Sequence, residues 1–131
     1  MEHKKLEIRQ TAIGSVVNVL AMEAHDNAEK HGFYADVEKL IDHFAEQDRT
    51  EDSKVVWRDF VLAQLAKIMG EGGEAVAAIQ HDDYDGMYEE LADIVIRVFD
   101  LAGYCAIPIG DIIIAKMKKN EKRPYKHGKE C

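Results

Sequence analysis

Apolar residues recur at three- and four-residue steps along most of the chain, and no stretch keeps the alternation of a strand for long. The pattern therefore predicts helices throughout. A first helix from about Lys4 to His31 carries a stripe of Ile13, Val16, Val17, Leu20 and Ala24 and stops at Gly32, a left-handed terminator. A second spans about Asp36 to Asp48 through Val37, Leu40, Ile41 and Phe44. A third starts near Ser53, its expected N-cap, and runs through Phe60, Val61, Leu65, Ile68, Val76 and Ile79. A fourth covers about Tyr84 to Cys105, and a fifth starts near Pro108 and must end by Pro124. Helices of about 28 residues are roughly 42 Å long. With short loops between them, they predict an all-α fold, an antiparallel bundle of about five helices.

The fourth helix is apolar on most of its circumference, with Glu89, Glu90, Asp93, Arg97 and Asp100 confined to one narrow stripe. Such a helix is normally buried, so the stripe is expected to face an internal cleft. The competing reading is a solvated edge with an Asp93–Arg97 ion pair. Glu90 and Asp93 are three apart, as are Glu71 and Glu74 on the third helix, and residues at that step share a side of a helix. Packed antiparallel, the two helices would gather four carboxylates. Like charges roughly 4 Å apart repel by about 4 kcal/mol at an effective dielectric near 20, so the acids must either protonate or hold a cation. Oxygen donors suit Mg²⁺ first and Mn²⁺ second.

The Glu71/Glu74 pair is less telling locally, because Lys67 stands four residues before Glu71 and a surface ion pair explains both. Gly70, Gly72 and Gly73 strengthen it: together they weaken a helix interior by roughly 3 kcal/mol relative to alanine. That loss predicts close approach by another backbone or a ligand. Spacing alone is unspecific, since Glu23/Asp26, Asp26/Glu29, Asp48/Glu51 and Asp82/Asp85 share it, but in polar surroundings. No Glu-x-x-His occurs and no two histidines stand four apart, which disfavours a di-iron bundle and a helical zinc site.

The 131 residues suit one globular domain with a core. A formal charge of −8 argues against a surface for nucleic acid polymers. The charge is unevenly placed: residues 116–131 hold seven basic residues and two acids. Within that segment Lys116, Asn120 and Arg123 share one face of the fifth helix, while Lys118, Lys119 and Lys122 point away. The helix macrodipole explains the number of lysines near a C-terminus but not this sorting, and a lysine, an amide and a guanidinium together suit phosphate oxygens. Cys105 and Cys131 form no recognisable disulfide or zinc pattern, and no secretory leader or membrane-length apolar stretch occurs. A soluble, cytoplasmic protein with no membrane partner is expected.

Three elements in order carry a family resemblance. Lys67 to Glu74, followed 15 positions later by Glu89-Glu90-Leu91-Ala92-Asp93, resembles the ExxE…ExxD signature of the MazG-like, all-α nucleoside triphosphate pyrophosphohydrolases of single-domain phage and bacterial type. Lys116 to Gly128 resembles that family's phosphate-contacting segment, and His25 to Phe33 resembles its NAxxKGF/W element. The chain departs from the family at Gly70, where many members carry a glutamate; lowered metal affinity or turnover is expected from that.

The resemblance implies one domain over residues 1–131 and Mg²⁺-dependent hydrolysis of a nucleoside or deoxynucleoside triphosphate to monophosphate and pyrophosphate. It implies Glu71, Glu74, Glu90 and Asp93 as metal ligands and catalytic acids. Lys116, Asn120 and Arg123, with Tyr125 and Lys126, would hold the triphosphate, and Asn27, Lys30 and Phe33 would lie near the sugar or base. Trp57 is a further candidate to stack on a base, although a core or interface role suits it better. Related members assemble as homodimers or homotetramers, and a nearly all-round apolar fourth helix suits burial between chains. Phosphoribosyl-ATP pyrophosphohydrolysis and a nucleotide-binding interaction protein with a decayed acid cluster are the alternatives.

Overall fold

A computed structural model of the chain describes residues 2–128, without the side chains of His3, Ile8 and His127. Lys129 and Cys131, which close the basic segment, lie outside the described residues. The five expected helices are all present: α1 (Glu2–Lys30), α2 (Ala35–Glu46), α3 (Thr50–Gln80), α4 (Tyr84–Tyr104) and α5 (Ile109–Glu121), followed by a 3₁₀ turn over Tyr125–Gly128. Among the described residues there is no strand.

Gly32 acts as its place in the sequence implies, and Asp83 adds a cap. Gly32 takes φ +82° and ends α1, and the Asp83 carboxylate caps α4 by accepting from the Gly86 N–H at 2.9 Å. Ser53 does something else. The third helix begins at Thr50, so Ser53 lies in its first turn and does not cap it. Its hydroxyl donates instead to the Ile41 carbonyl at 2.8 Å, tying α3 to α2. The extra turn is favoured by Glu51 and Asp52, two acids at the positive end of the helix dipole.

Two consecutive pairs pack as hairpins, and α1 packs on the last two helices. α2 lies against α3 and α3 against α4, α4 returns along α1, and α5 lies on α1. Gly103 of α4 lets the backbone approach His25 of α1. At the start of α5, the Gly110 N–H donates to Asn18 Oδ1 at 2.7 Å. Ile114, Ala115 and Lys118 then share a shallow hollow with Gln10 and Thr11, so α5 leads from the middle of α1 toward its N-terminus.

Of the two expectations for Gly70, Gly72 and Gly73, close approach by a backbone is corrected: a Cβ at any of the three would meet nothing within 4 Å, so among the described residues no backbone needs their small size.

The core is thin. Among the described residues only Ala21, Tyr34, Ala75 and Ala102 are buried apolar side chains, while Leu20, Leu62, Leu91 and Ile96 are about half exposed. The accessible surface of 10,069 Å² exceeds by about 3,000 Å² what a compact monomer of this mass shows. No single helix among the described residues is long and apolar enough to cross a membrane.

Candidate active site

Three helices enclose a cavity of about 390 Å³. On α3 its wall is a single stripe at three- and four-residue steps, Phe60, Gln64, Lys67 and Glu71; on α4 it is Asp93, Ile96, Arg97 and Asp100. Asn27 closes the α1 side, and Phe33 and Tyr34 at the α1–α2 corner complete it. One end is thus acidic and the other aromatic.

At the acidic end, carboxylate oxygens of Glu71, Glu90 and Asp93 lie within 4.8 Å of one another. Opposite ligands of an octahedral Mg²⁺, each at about 2.1 Å, stand about 4.2 Å apart, so the three oxygens are near enough to be drawn together on one such ion. Glu90 Oε2 is covered and has no hydrogen-bond partner. Its neighbours are carboxylates, which offer no donor unless one keeps a proton. The Glu90 carboxyl is accordingly pushed up to about 7, first by a hydrogen bond shared with Glu71, then by its removal from water and by the charge of Glu74. Glu71 is held below the ordinary carboxylate range, chiefly by its hydrogen bond with Arg97. Glu74 stands outside the three-oxygen group but close enough to act on both Glu71 and Glu90.

Two ion pairs weighed from the sequence take another form. Arg97 does not pair with Asp93 on its own helix; its Nε donates across the seam to Glu71 Oε1. Lys67 makes no ion pair with Glu71 among the described residues and lines the cavity instead.

At the aromatic end, Asp100 Oδ1 accepts from the Tyr34 hydroxyl at 2.6 Å and meets His25 Nδ1 at 3.0 Å. Tyr34 stacks on Tyr104, with ring centroids 4.6 Å apart, and touches Phe60. Burial, then the Asp100 carboxylate, push the Tyr34 hydroxyl far above its ordinary range, so it is a fixed donor. Replacing Tyr34 with Phe should lower unfolding stability by about 1.5–3 kcal/mol, the size of one hydrogen bond to a charged group. Denaturant unfolding of the variant checks this.

The basic face lies elsewhere. Lys116, Asn120, Arg123, Tyr125 and Lys126 line no part of this cavity. α5 starts beside Gly14 and Asn18, some ten residues before Asn27 on α1, or about 15 Å along the helix, and leads away. Asn120 Oδ1 is nevertheless covered and without a partner, while Tyr125 is 87% exposed. Of the residues assigned to sugar or base, Asn27 and Phe33 line the cavity. Lys30 is exposed outside it, and so is Trp57, one turn before Phe60. Sequence reasoning passed over Tyr34, Gln64 and the His25–Asp100 contact. Gln64 carried a signal, being a lone amide on an otherwise apolar helical stretch.

A family model for the MazG nucleotide pyrophosphohydrolase domain matches residues 61–127, which take in Gln64, Lys67 and Glu71 of the cavity wall on α3 and all of α4 and α5. No curated protein and no solved structure matches the chain.

Proposed function

We propose, because this chain belongs to the MazG nucleotide pyrophosphohydrolase family, that it hydrolyses a nucleoside triphosphate to the monophosphate and pyrophosphate at the α3–α4 seam. The observation that carries the reading is the group of three carboxylate oxygens within 4.8 Å, set at one end of a cavity whose other end is aromatic. The single domain would span the whole chain.

Glu71, Glu90 and Asp93 would hold Mg²⁺, or Mn²⁺, with Glu74 beside them to complete the set or to take a proton from the attacking water. The cation, once bound, would neutralise charge on the transferring phosphoryl group and the pyrophosphate that leaves. Three clustered carboxylates, one of which has a covered oxygen that no donor reaches, are a donor set suited to such an ion. Phe33 and Tyr34 supply flat apolar walls for a base, and Asn27 and Gln64 supply amides that can donate and accept at its edge.

Lys116, Asn120 and Arg123 ride on a helix that leads away from the cavity of their own protomer. We place them at the acidic end of a second copy's cavity. The surface excess of about 3,000 Å² is of the size that an obligate homo-oligomer removes from water, and three glycines on open ground beside Glu71 leave room for a neighbour. Sedimentation at micromolar concentration should show a homodimer or homotetramer; a strict monomer would remove the basis for sharing the site.

The activity is tested by pyrophosphate release from a panel of nucleoside and deoxynucleoside triphosphates, with Mg²⁺ and with chelator. Release from at least one nucleotide only when metal is present is expected, and no release from any would overturn the reading. The pH dependence follows from Glu90. Below about 7 its carboxyl keeps a proton that must leave before the group ligates a cation, so cation affinity falls as pH drops through that value. The Mg²⁺-induced rise in Tm should be larger at pH 8 than at pH 6, read by scanning calorimetry.

A further inference from the structure

Arg97 lies one turn beyond Asp93 on α4, within helical reach of Asp93 behind it and Asp100 ahead. Its Nε hydrogen bond nevertheless crosses to α3 and ends on Glu71 Oε1. The Glu71 side chain is only 12% exposed and that of Arg97 is 42% exposed, so the guanidinium covers the carboxylate from the open side, and Arg97 lines the cavity. The oxygen it covers belongs to a residue of the three-acid group.

We infer that Arg97 is a displaceable counter-ion, which holds Glu71 while no divalent cation is bound and passes its guanidinium to a substrate phosphate oxygen when a cation takes Glu71. The inference rests on the metal-dependent reading above. Two cations on one carboxylate repel each other, so the arginine and the ion compete for Glu71. A guanidinium has five donors in a planar fork, and among the described residues only one of them is used, which leaves both terminal amino groups to meet a phosphate. Its stem is long enough to move while α4 stays in place. Lys67 lines the same cavity but makes no ion pair with the acid group among the described residues; the competition is therefore specific to Arg97.

A displaceable counter-ion and a fixed support predict opposite outcomes. Removing a competitor tightens ion binding, whereas removing a support loosens it. Arg97→Gln should bind Mn²⁺ roughly five- to tenfold more tightly than the wild type by electron paramagnetic resonance without nucleotide, the size of one screened charge interaction. The same variant should raise KM for the nucleoside triphosphate about tenfold with a smaller change in kcat. In the wild-type protein, the ¹⁵N resonance of Arg97 Nε, assigned by its loss in Arg97→Lys, should shift on adding Mg²⁺ alone. That second measurement decides the matter if Arg97→Gln does not fold. Unchanged or weaker Mn²⁺ binding by Arg97→Gln, or an Nε resonance indifferent to Mg²⁺, would overturn the proposal and leave the metal-dependent reading intact. Failure of the wild-type protein to bind Mn²⁺ at all would remove both.

Discussion

Replacing Glu71 with Gln, or Asp93 with Asn, should lower pyrophosphate release by about 10²–10³-fold or more, the loss seen when one group aimed at developing charge is removed. Each substitution keeps the size and shape of the side chain and removes one negative charge from a group of three. In Glu71→Gln the new amide oxygen can still accept from Arg97, so the α3–α4 seam keeps its bond and the helical circular dichroism should be unchanged. Mn²⁺ binding should be lost together with activity. If release survives in both variants, the acids are not the metal site, and the cavity must act by another route.

Gly110→Ala should destabilise the fold by about 3 kcal/mol, through overpacking and a displaced hydrogen bond. A Cβ there would collide with the Gly14 carbonyl oxygen and lie 2.9 Å from Asn18 Oδ1. The first of these is backbone and cannot turn aside, so α5 must lift from α1 and its Gly110–Asn18 bond must lengthen or break. For a chain of this size the loss corresponds to a fall in Tm of about 10 °C. Gly70→Ala is the same chemical change on open ground, where a Cβ meets nothing within 4 Å. There the better helix propensity of alanine should raise stability by about 0.5–1 kcal/mol. Paired melts of the two variants separate the contact from the propensity, and an unchanged or higher Tm for Gly110→Ala would mean that the Gly110 crossing is not what holds α5.

The number of helices, their order and the acidic stripe of α4 were legible from the chain because each depends on residues three or four apart, and a helix repeats at that interval whatever surrounds it. The Glu71 and Glu90/Asp93 convergence was legible for a related reason: the short loop between two long helices leaves an antiparallel hairpin as the simple arrangement, and the polar positions then face each other. Helix boundaries were less so. Ser53 has the chemistry of a cap, but a carbonyl twelve positions earlier competes for its hydroxyl and wins.

The rest depended on residues far apart in the chain. Tyr34 meets Asp100 across 66 positions, His25 meets Asp100 across 75, and Gly110 meets Asn18 across 92. No local period encodes such pairings. The same limit governed Arg97, which has Asp93 and Asp100 within a turn on its own helix but whose bond crosses the seam to Glu71 on α3. It also governed the basic face of α5: the face itself can be read from a helical wheel, but its direction is set by the close crossing of Gly110 over Gly14. That crossing carries Lys116, Asn120 and Arg123 away from the acids of their own chain.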